Sequence, residues 1–400
     1  MVGSKSTVPP SSDELQLSEQ KWRERVVLQP ERAEAHFNLG NALARLGRPS
    51  EAIQSYQRAL ALDPALSAHN NLGKAQYAAR DFEAARDSFR RAIAASPSEP
   101  HLHRNLGTAA RALGDREAAL ASFGRALQLA PHARSVLQSL ATTALECGKW
   151  QLGLDTCSTW LGLEPSNVEA LGLQSIALQE LGEHAAAREL LDFERMVEVV
   201  DLAGPPPRFA SLSDFNQALS RHALGHPTLR LPASDDPRYH CPTLRLTDEF
   251  CDQPAGASGA LERLVATAID GYLQRLSSAL PRHPFVVGAA ARFTLRSWAT
   301  VLEHEGNLLP HVHYASYVSA VYYPRVPRVM SGGAGAGYFE FGGGPRDFPV
   351  QSSTPVRAIE PREGRLLLFP SYFYHRTAPF SASEPRISVA FDTEAMSRAP

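Results

Sequence analysis

Residues 38–64 read NLGNALARLGRPSEAIQSYQRALALDP, residues 71–97 NLGKAQYAARDFEAARDSFRRAIAASP and residues 105–131 NLGTAARALGDREAALASFGRALQLAP. The three stretches are in register at a period of 33 to 34 residues. Leu39-Gly40, Leu72-Gly73 and Leu106-Gly107 begin each unit, and Ala52, Ala85 and Ala119 stand twelve residues after the Gly. An aromatic follows four residues on (Tyr56, Phe89, Phe123), then Ala59, Ala92 and Ala126, then Pro64, Pro97 and Pro131. A period of this length is one helical hairpin that buries its apolar face only against the next. Small Gly and Ala stand where two antiparallel helices approach, the aromatic fills the space beside them, and Pro stops the second helix.

This pattern resembles the tetratricopeptide repeat. A fourth copy keeps Leu140 and Pro165 but puts Gly153, Cys157 and Trp160 at the Ala, aromatic and Ala positions; a fifth has Ala187 and Leu191. Trp22 and Pro30 fall in register upstream, so residues 13–30 are expected to form a capping helix. Asn38, Asn71 and Asn105 precede each Leu-Gly and recur along one face of successive first helices. They are similar to the asparagine ladder in the repeats of O-linked N-acetylglucosamine transferases, which implies a site for extended peptide. An amide offers donor and acceptor together and matches a peptide group without reading its sequence. The bland alternative is that these asparagines face solvent as ordinary repeat residues.

Composition narrows the function classes. The 400 residues carry 40 Lys+Arg against 42 Asp+Glu, so no basic excess argues for nucleic acid or an anionic membrane surface. Cys147, Cys157, Cys241 and Cys251 form no disulfide framework and no zinc spacing. The first residues, MVGSKSTVPPSSDE, lack an apolar core of the signal-peptide kind, and no apolar run reaches membrane length. The expectation is a soluble cytoplasmic protein without nucleic-acid or membrane partners.

Leu202-Ala203-Gly204-Pro205-Pro206-Pro207 ends the helical pattern. The expected organisation is therefore a repeat domain over 13–199, a linker over 200–209 and a second domain over 210–396. In the second domain Ser258–Leu280 reads as one amphipathic helix with Ser258 as N-cap. Short strands are expected at 293–302, 318–323, 337–341, 356–359, 365–369 and 386–391, the pattern of a sandwich or barrel.

Within these strands, His311-Val312-His313 places two imidazoles at i and i+2, which share one face of a strand. His375 follows the apolar run Leu366–Phe369, and Arg386 and Ser388 share a face of the next strand. Two close ligands, a distant His and then a basic residue is the layout of a non-heme Fe(II) site. Arg386 would grip a co-substrate carboxylate bidentately, and Ser388 would add a hydroxyl donor. His304 reads as a solvated residue between Glu303 and Glu305; His222, His226, His240 and His283 carry no spacing signal. Asp392, on the Arg386 face, is a further ligand candidate, and one of Trp298, Tyr322 and Tyr323 is a candidate to line the pocket.

Residues 360–391, EPREGRLLLFPSYFYH through RISVAF, together with PHVHYAS from Pro310 and SAVYY from Ser319, resemble bacterial and phage 2-oxoglutarate/Fe(II)-dependent dioxygenases over roughly 210–395. Aspartyl/asparaginyl β-hydroxylase is similar in outline, with helical repeats before an oxygenase domain. The resemblance implies a double-stranded β-helix (jelly-roll) domain with flanking helices behind the all-α repeat solenoid. It implies His311 and His375 as iron ligands and Arg386 with Ser388 as the holders of 2-oxoglutarate. The superfamily commonly has His-x-Asp or His-x-Glu; His313 stands there instead and makes the first shell one charge more positive. The implied activity is hydroxylation of a protein or peptide side chain recruited by the repeats. The rivals are a cupin-like metalloprotein, against which Tyr317 and Val318 occupy the usual Glu positions, and a repeat scaffold without activity.

Overall fold

The computed structural model describes residues 11–232, 241, 243–287, 293–303, 305–328, 335–345, 348–352 and 355–395. The chain divides into two compact units, 1–144 and 145–400. The first contains α1 (Ser12–Leu28), α2 (Ala33–Arg45), α3 (Pro49–Leu62), α4 (His69–Ala78), α5 (Phe82–Ala95), α6 (Pro100–Ala112) and α7 (Arg116–Leu129); α8 (Arg134–Glu146) runs across the boundary. The expected capping helix is α1, held at its start by a capping box between Ser11 and Glu14.

The repeat consensus has a direct steric cause. A Cβ on Gly40, Gly73 or Gly107 would stand 2.7 Å from the ring of Tyr56, Phe89 or Phe123, so each aromatic lies flat against bare backbone of the paired helix. Ala52, Ala85 and Ala119 are fully buried at the same crossings. The turn between the paired helices needs a left-handed residue, supplied by Gly47, Gly114, Gly148 and Gly182 with φ of 66° to 79°. The second repeat puts Arg80 there at φ 64°, where a Cβ is disfavoured.

The second unit opens with α9 (Trp150–Leu163), α10 (Val168–Glu180), α11 (His184–Leu190) and α12 (Phe193–Met196). Their sequence continues the repeat; α9 packs on α10, and the packing of α10, α11 and α12 belongs to the sheets. Val168, Leu171, Leu190, Phe193 and Met196 share one core with Leu366, Leu368 and Phe373. Tyr272 and Tyr372 donate their hydroxyls to the carbonyls of Met196 and Leu190 at 2.7 and 2.6 Å. Helix α10 is buried nearly all round, which explains its departure from the amphipathic consensus.

The remaining elements are β1 (Glu198–Asp201), α13 (Leu212–Leu224), β2 (Leu244–Leu246), α14 (Ala257–Ala279), α15 (Pro284–Val287), β3 (Phe293–Leu302), β4 (Glu305–His311), β5 (Val318–Arg325), β6 (Phe339–Phe341), β7 (Arg357–Ile359), β8 (Arg365–Pro370), β9 (His375–Ser381) and β10 (Arg386–Ala395). They form two antiparallel sheets, a six-stranded one ordered β1-β8-β5-β10-β3-β2 and a four-stranded one ordered β4-β9-β6-β7. Residues 200 and 201, expected in a linker, end β1 opposite Leu366 and Arg365, where Asp201 holds Arg365 bidentately at 2.7 and 2.8 Å. Helix α14 starts at Ala257 after Gly256, so Ser258 lies inside the first turn, buried, and does not cap. Among the described residues no helix is long and apolar enough to cross a membrane.

Two substitutions test the repeat geometry. Gly73→Ala forces a methyl into the Phe89 ring and should destabilise the repeat unit by about 1–3 kcal/mol, the range for an overpacked core. Arg80→Gly relieves the left-handed position, and after the added freedom of the unfolded chain should gain about 0.5–1 kcal/mol. Urea unfolding of the full chain followed by far-ultraviolet circular dichroism reads both; equal midpoints for parent and variants would refute the steric account.

Candidate metal centre

Three histidines come together where β4 meets β9. His311 is the last residue of β4 and His375 the first of β9, and they are direct partners across the ladder. His313 lies two residues past the end of β4, just ahead of the turn at 314–315, and its backbone N–H donates to the Ser371 carbonyl at 3.0 Å. Ring centroids are 4.3 Å apart for His311 and His375, and 5.1 Å for His313 with either. One ligand atom from each lies within 4.8 Å of the others.

The second nitrogen of each ring sets its orientation. His311 Nδ1 meets the Leu309 carbonyl at 2.8 Å, and His375 Nδ1 meets the Phe373 carbonyl at 2.9 Å. His313 Nδ1 meets the Asp392 carboxylate at 2.9–3.0 Å. All three partners only accept, so Nδ1 carries the hydrogen and each Nε2 keeps its lone pair. Burial, followed by the neighbouring His311 and His313, holds His375 well below the usual imidazole range, so it stays neutral. Asp392, weighed from sequence as a ligand, is instead the carboxylate behind His313, and Ser319 steadies it with a 2.6 Å hydroxyl bond.

A cleft of about 550 Å³ runs from this cluster to the first residues of β10. Arg386 and Ser388 both line it, and Thr300 faces it from β3, opposite Ser388 in the ladder. Arg386 is 1% exposed and heads the fully buried side chains among the described residues. Its Nε has no hydrogen-bond partner, and its guanidinium lies over the Tyr323 ring at 5.1 Å. Burial lowers its pKa, the cost of a desolvated cation. Phe339 stacks on His375 at 5.2 Å and Phe369 meets it edge-on at 5.0 Å. Of the candidate aromatics, Trp298 lines the cleft, Tyr323 lies beneath Arg386, and Tyr322 is buried with its hydroxyl on Asn216. His304 and His240 lie outside the described residues.

The repeat asparagines occupy the other unit and are engaged with one another. Asn71 Nδ2 donates to Asn41 Oδ1 at 2.8 Å, and the same oxygen accepts the Tyr56 hydroxyl at 2.8 Å. Burial raises the Tyr56 phenol to about 12, so it remains a donor. Asn105 Nδ2 donates to Asn70 Oδ1 at 2.9 Å, and its Oδ1 accepts from Arg104 at 3.4 Å. Two of the three expected ladder positions thus tie successive repeats together. Asn41 and Asn70 are the partners that the periodic reading did not single out, because each occurs in one repeat only.

Comparison with known proteins follows the same division. The family described as "Putative 2OG-Fe(II) oxygenase" matches residues 296–392. Tetratricopeptide-repeat families match residues 21–67, 37–100 and 70–134, and residues 168–192. No curated protein matches. Among solved structures, YrrB, described as a tetratricopeptide-repeat protein with an unusual peptide-binding site, is 20% identical with a TM-score of 0.40, covering 44% of this chain and 90% of that one. PilF from Pseudomonas aeruginosa is 20% identical with a TM-score of 0.39, covering 46% and 84%. MamA from Desulfovibrio magneticus RS-1 is 19% identical with a TM-score of 0.37, covering 38% and 86%. The chain joins N-terminal tetratricopeptide repeats to a C-terminal domain matched by the 2OG-Fe(II) oxygenase family.

Proposed function

We propose that the strand-rich unit is a 2-oxoglutarate- and Fe(II)-dependent dioxygenase acting on a protein or peptide side chain recruited by the repeats. The observation that carries this reading is Arg386: a fully buried cation, in no ion pair among the described residues, on the same cleft as three inward-facing imidazoles. A buried guanidinium without an anion is costly, and a carboxylate ligand relieves that cost. The two antiparallel sheets are read as the halves of a double-stranded β-helix. A cupin-like site needs no buried Arg beside the metal, so Arg386 favours the oxygenase.

His311, His313 and His375 would hold iron through Nε2, and Arg386 with Ser388 would hold the distal carboxylate of 2-oxoglutarate. When bound, the metal and the 2-oxo acid together supply an oxidation in which one oxygen atom of O₂ enters succinate, the other enters the substrate C–H bond, and CO₂ leaves. The carbonyls of Leu309 and Phe373 and the carboxylate of Asp392 fix the rings in their ligating tautomer. Asp392 also supplies, one atom shell out, the negative charge that a His-x-Asp motif places on the metal. A divalent ion and Arg386 are then balanced by the dianionic co-substrate and Asp392. Phe339 and Phe369 cover the faces of His375 and limit water at the site. The tetratricopeptide repeats supply a surface of the kind that recruits extended protein segments.

The chain purified with Fe(II) should convert 2-oxoglutarate to succinate slowly without substrate. His375→Ala should abolish stoichiometric Fe(II) binding with the repeats still folded; parental iron affinity in that variant refutes the assignment. Arg386→Ala should weaken 2-oxoglutarate by roughly 30-fold or more, the cost of truncating a buried charge-assisted contact. Ser388→Ala should cost about 1 kcal/mol.

Asp392→Ala should lower metal affinity by roughly 10–100-fold, the usual effect of losing a ligand's hydrogen-bond partner, and Asp392→Asn by less. His313→Asp alone would set a second carboxylate near Asp392, so paired with Asp392→Asn it should bind metal better than alone. Equal affinities for the single and the pair would remove Asp392 from the charge balance.

Replacing Asn38, Asn71 and Asn105 together by Ala should abolish oxidation of a protein partner while uncoupled succinate formation persists. Asn71→Ala and Asn105→Ala should each also cost the repeats about 0.5–1.5 kcal/mol, whereas Asn38→Ala should not. Partner oxidation at the parental rate in the triple variant would assign the asparagines to repeat stacking alone.

A further inference from the structure

A second group of metal-ligating side chains stands outside the cleft. His222 is in the last turn of α13, and His226 follows Gly225 just past the helix end. Asp252 approaches them from the segment between β2 and α14. His222 Nε2 is 2.9 Å from Asp252 Oδ1, His226 Nε2 is 3.4 Å from Asp252 Oδ2, and the three ligand atoms lie within 4.8 Å of one another. An ion about 2.0–2.1 Å from each of four tetrahedral ligands spaces those ligands about 3.3–3.4 Å apart. The two histidine-to-carboxylate distances, each to a different oxygen of Asp252, are near that spacing.

His226 is the second, independent observation. It is 7% exposed, and its Nε2 is buried with no hydrogen-bond partner, although it is aimed at the carboxylate. Its Nδ1 accepts the Thr228 backbone N–H at 3.3 Å and faces the Thr228 hydroxyl at 2.9 Å, so without metal Nε2 carries the ring hydrogen toward Asp252, and ligation displaces that hydrogen. His222 Nε2 is 3.1 Å from the Phe250 carbonyl, and its proton would leave on binding. The His222 ring rests on buried Phe250 at 4.9 Å, so its position is fixed by packing. Asp252 keeps 40% of its side chain exposed, which gives an ion a path in and leaves room for a water ligand.

We propose that His222, His226 and Asp252 bind a structural Zn(II) ion, distinct from the three-histidine cluster, that fastens the end of α13 to the segment leading into α14. Two imidazoles and one carboxylate form a mixed nitrogen–oxygen set that suits zinc. Both tethered elements pack on the core of the strand-rich unit, through Phe215 and Leu219 and through Leu261 and Val265. The ion's role is therefore to hold architecture.

The test is calorimetric titration of the metal-stripped full chain with Zn(II), with Co(II) absorption as a second probe. His375→Ala removes the proposed iron site, so failure of that reading and of this one are distinguishable. One equivalent of Zn(II) should bind to His375→Ala and raise its Tm. Asp252→Asn and His226→Gln, each made in the His375→Ala chain, should weaken it by roughly 100-fold or more and remove the Tm gain. Asp252→Asn alters an exposed side chain, so its fold is not at risk. The proposal is overturned if His375→Ala takes up no Zn(II) below about 100 μM, a bound weaker than any structural site. It is equally overturned if either added substitution keeps the affinity of the His375→Ala chain.

Discussion

The antiparallel ladder of β10 is the constraint on which the strand-rich unit depends. This strand pairs with β3 without a break from Arg386 opposite Leu302 to Ala395 opposite Phe293, and with β5 on its other edge. Because side chains alternate along a strand, one face of β10 carries Arg386, Ser388, Ala390 and Asp392, so the three polar residues share that face. The first is the buried cation, the second lines the same cleft, and the third reaches His313. A slip of one residue would send all three to the opposite face and bring Ile387 and Val389 into the cleft. The register of one strand therefore sets the spacing between the buried Arg386 and the histidine cluster.

The cluster itself is assembled from the other sheet. His311 and His375 meet because β4 and β9 pair, and His313, two residues on, is held by its backbone N–H on the Ser371 carbonyl. Asp392 is the contribution of the six-stranded sheet to a centre otherwise carried by the four-stranded one. Its carboxylate sets a negative charge directly behind the His313 ring. An imidazole backed by a carboxylate is a stronger donor than imidazole alone.

The repeat unit follows a different logic. Its packing is local: an aromatic on each second helix closes over a Gly on its own first helix, and the amides of Asn41, Asn70, Asn71 and Asn105 link one hairpin to the next. The helices from α9 to α12 use the same sequence period for another purpose. The apolar positions of α10, α11 and α12 are buried with the strands, and the consensus aromatic is absent from α9 and α11.

Much was legible from the chain because the relevant signals are periodic or adjacent. The 33- to 34-residue period marked the helical hairpins, since each obeys the same short-range sterics at Gly and aromatic positions. His311, His313 and His375 could be picked out by their spacing and order along the chain, and Arg386 and Ser388 by their alternation on one expected strand. The strands β4 and β9 were not legible; each begins or ends at a histidine, where the apolar alternation fails. The last repeat helices were legible as helices but not as part of the strand-rich unit, because periodicity reports a hairpin and not its neighbour. The partnership of His313 with Asp392, 79 positions apart, and the meeting of His222 and His226 with Asp252 were decided only by tertiary structure. Sequence spacing constrains side chains within one element; between elements, contact depends on strand register and on how helix ends dock, and no local pattern encodes either.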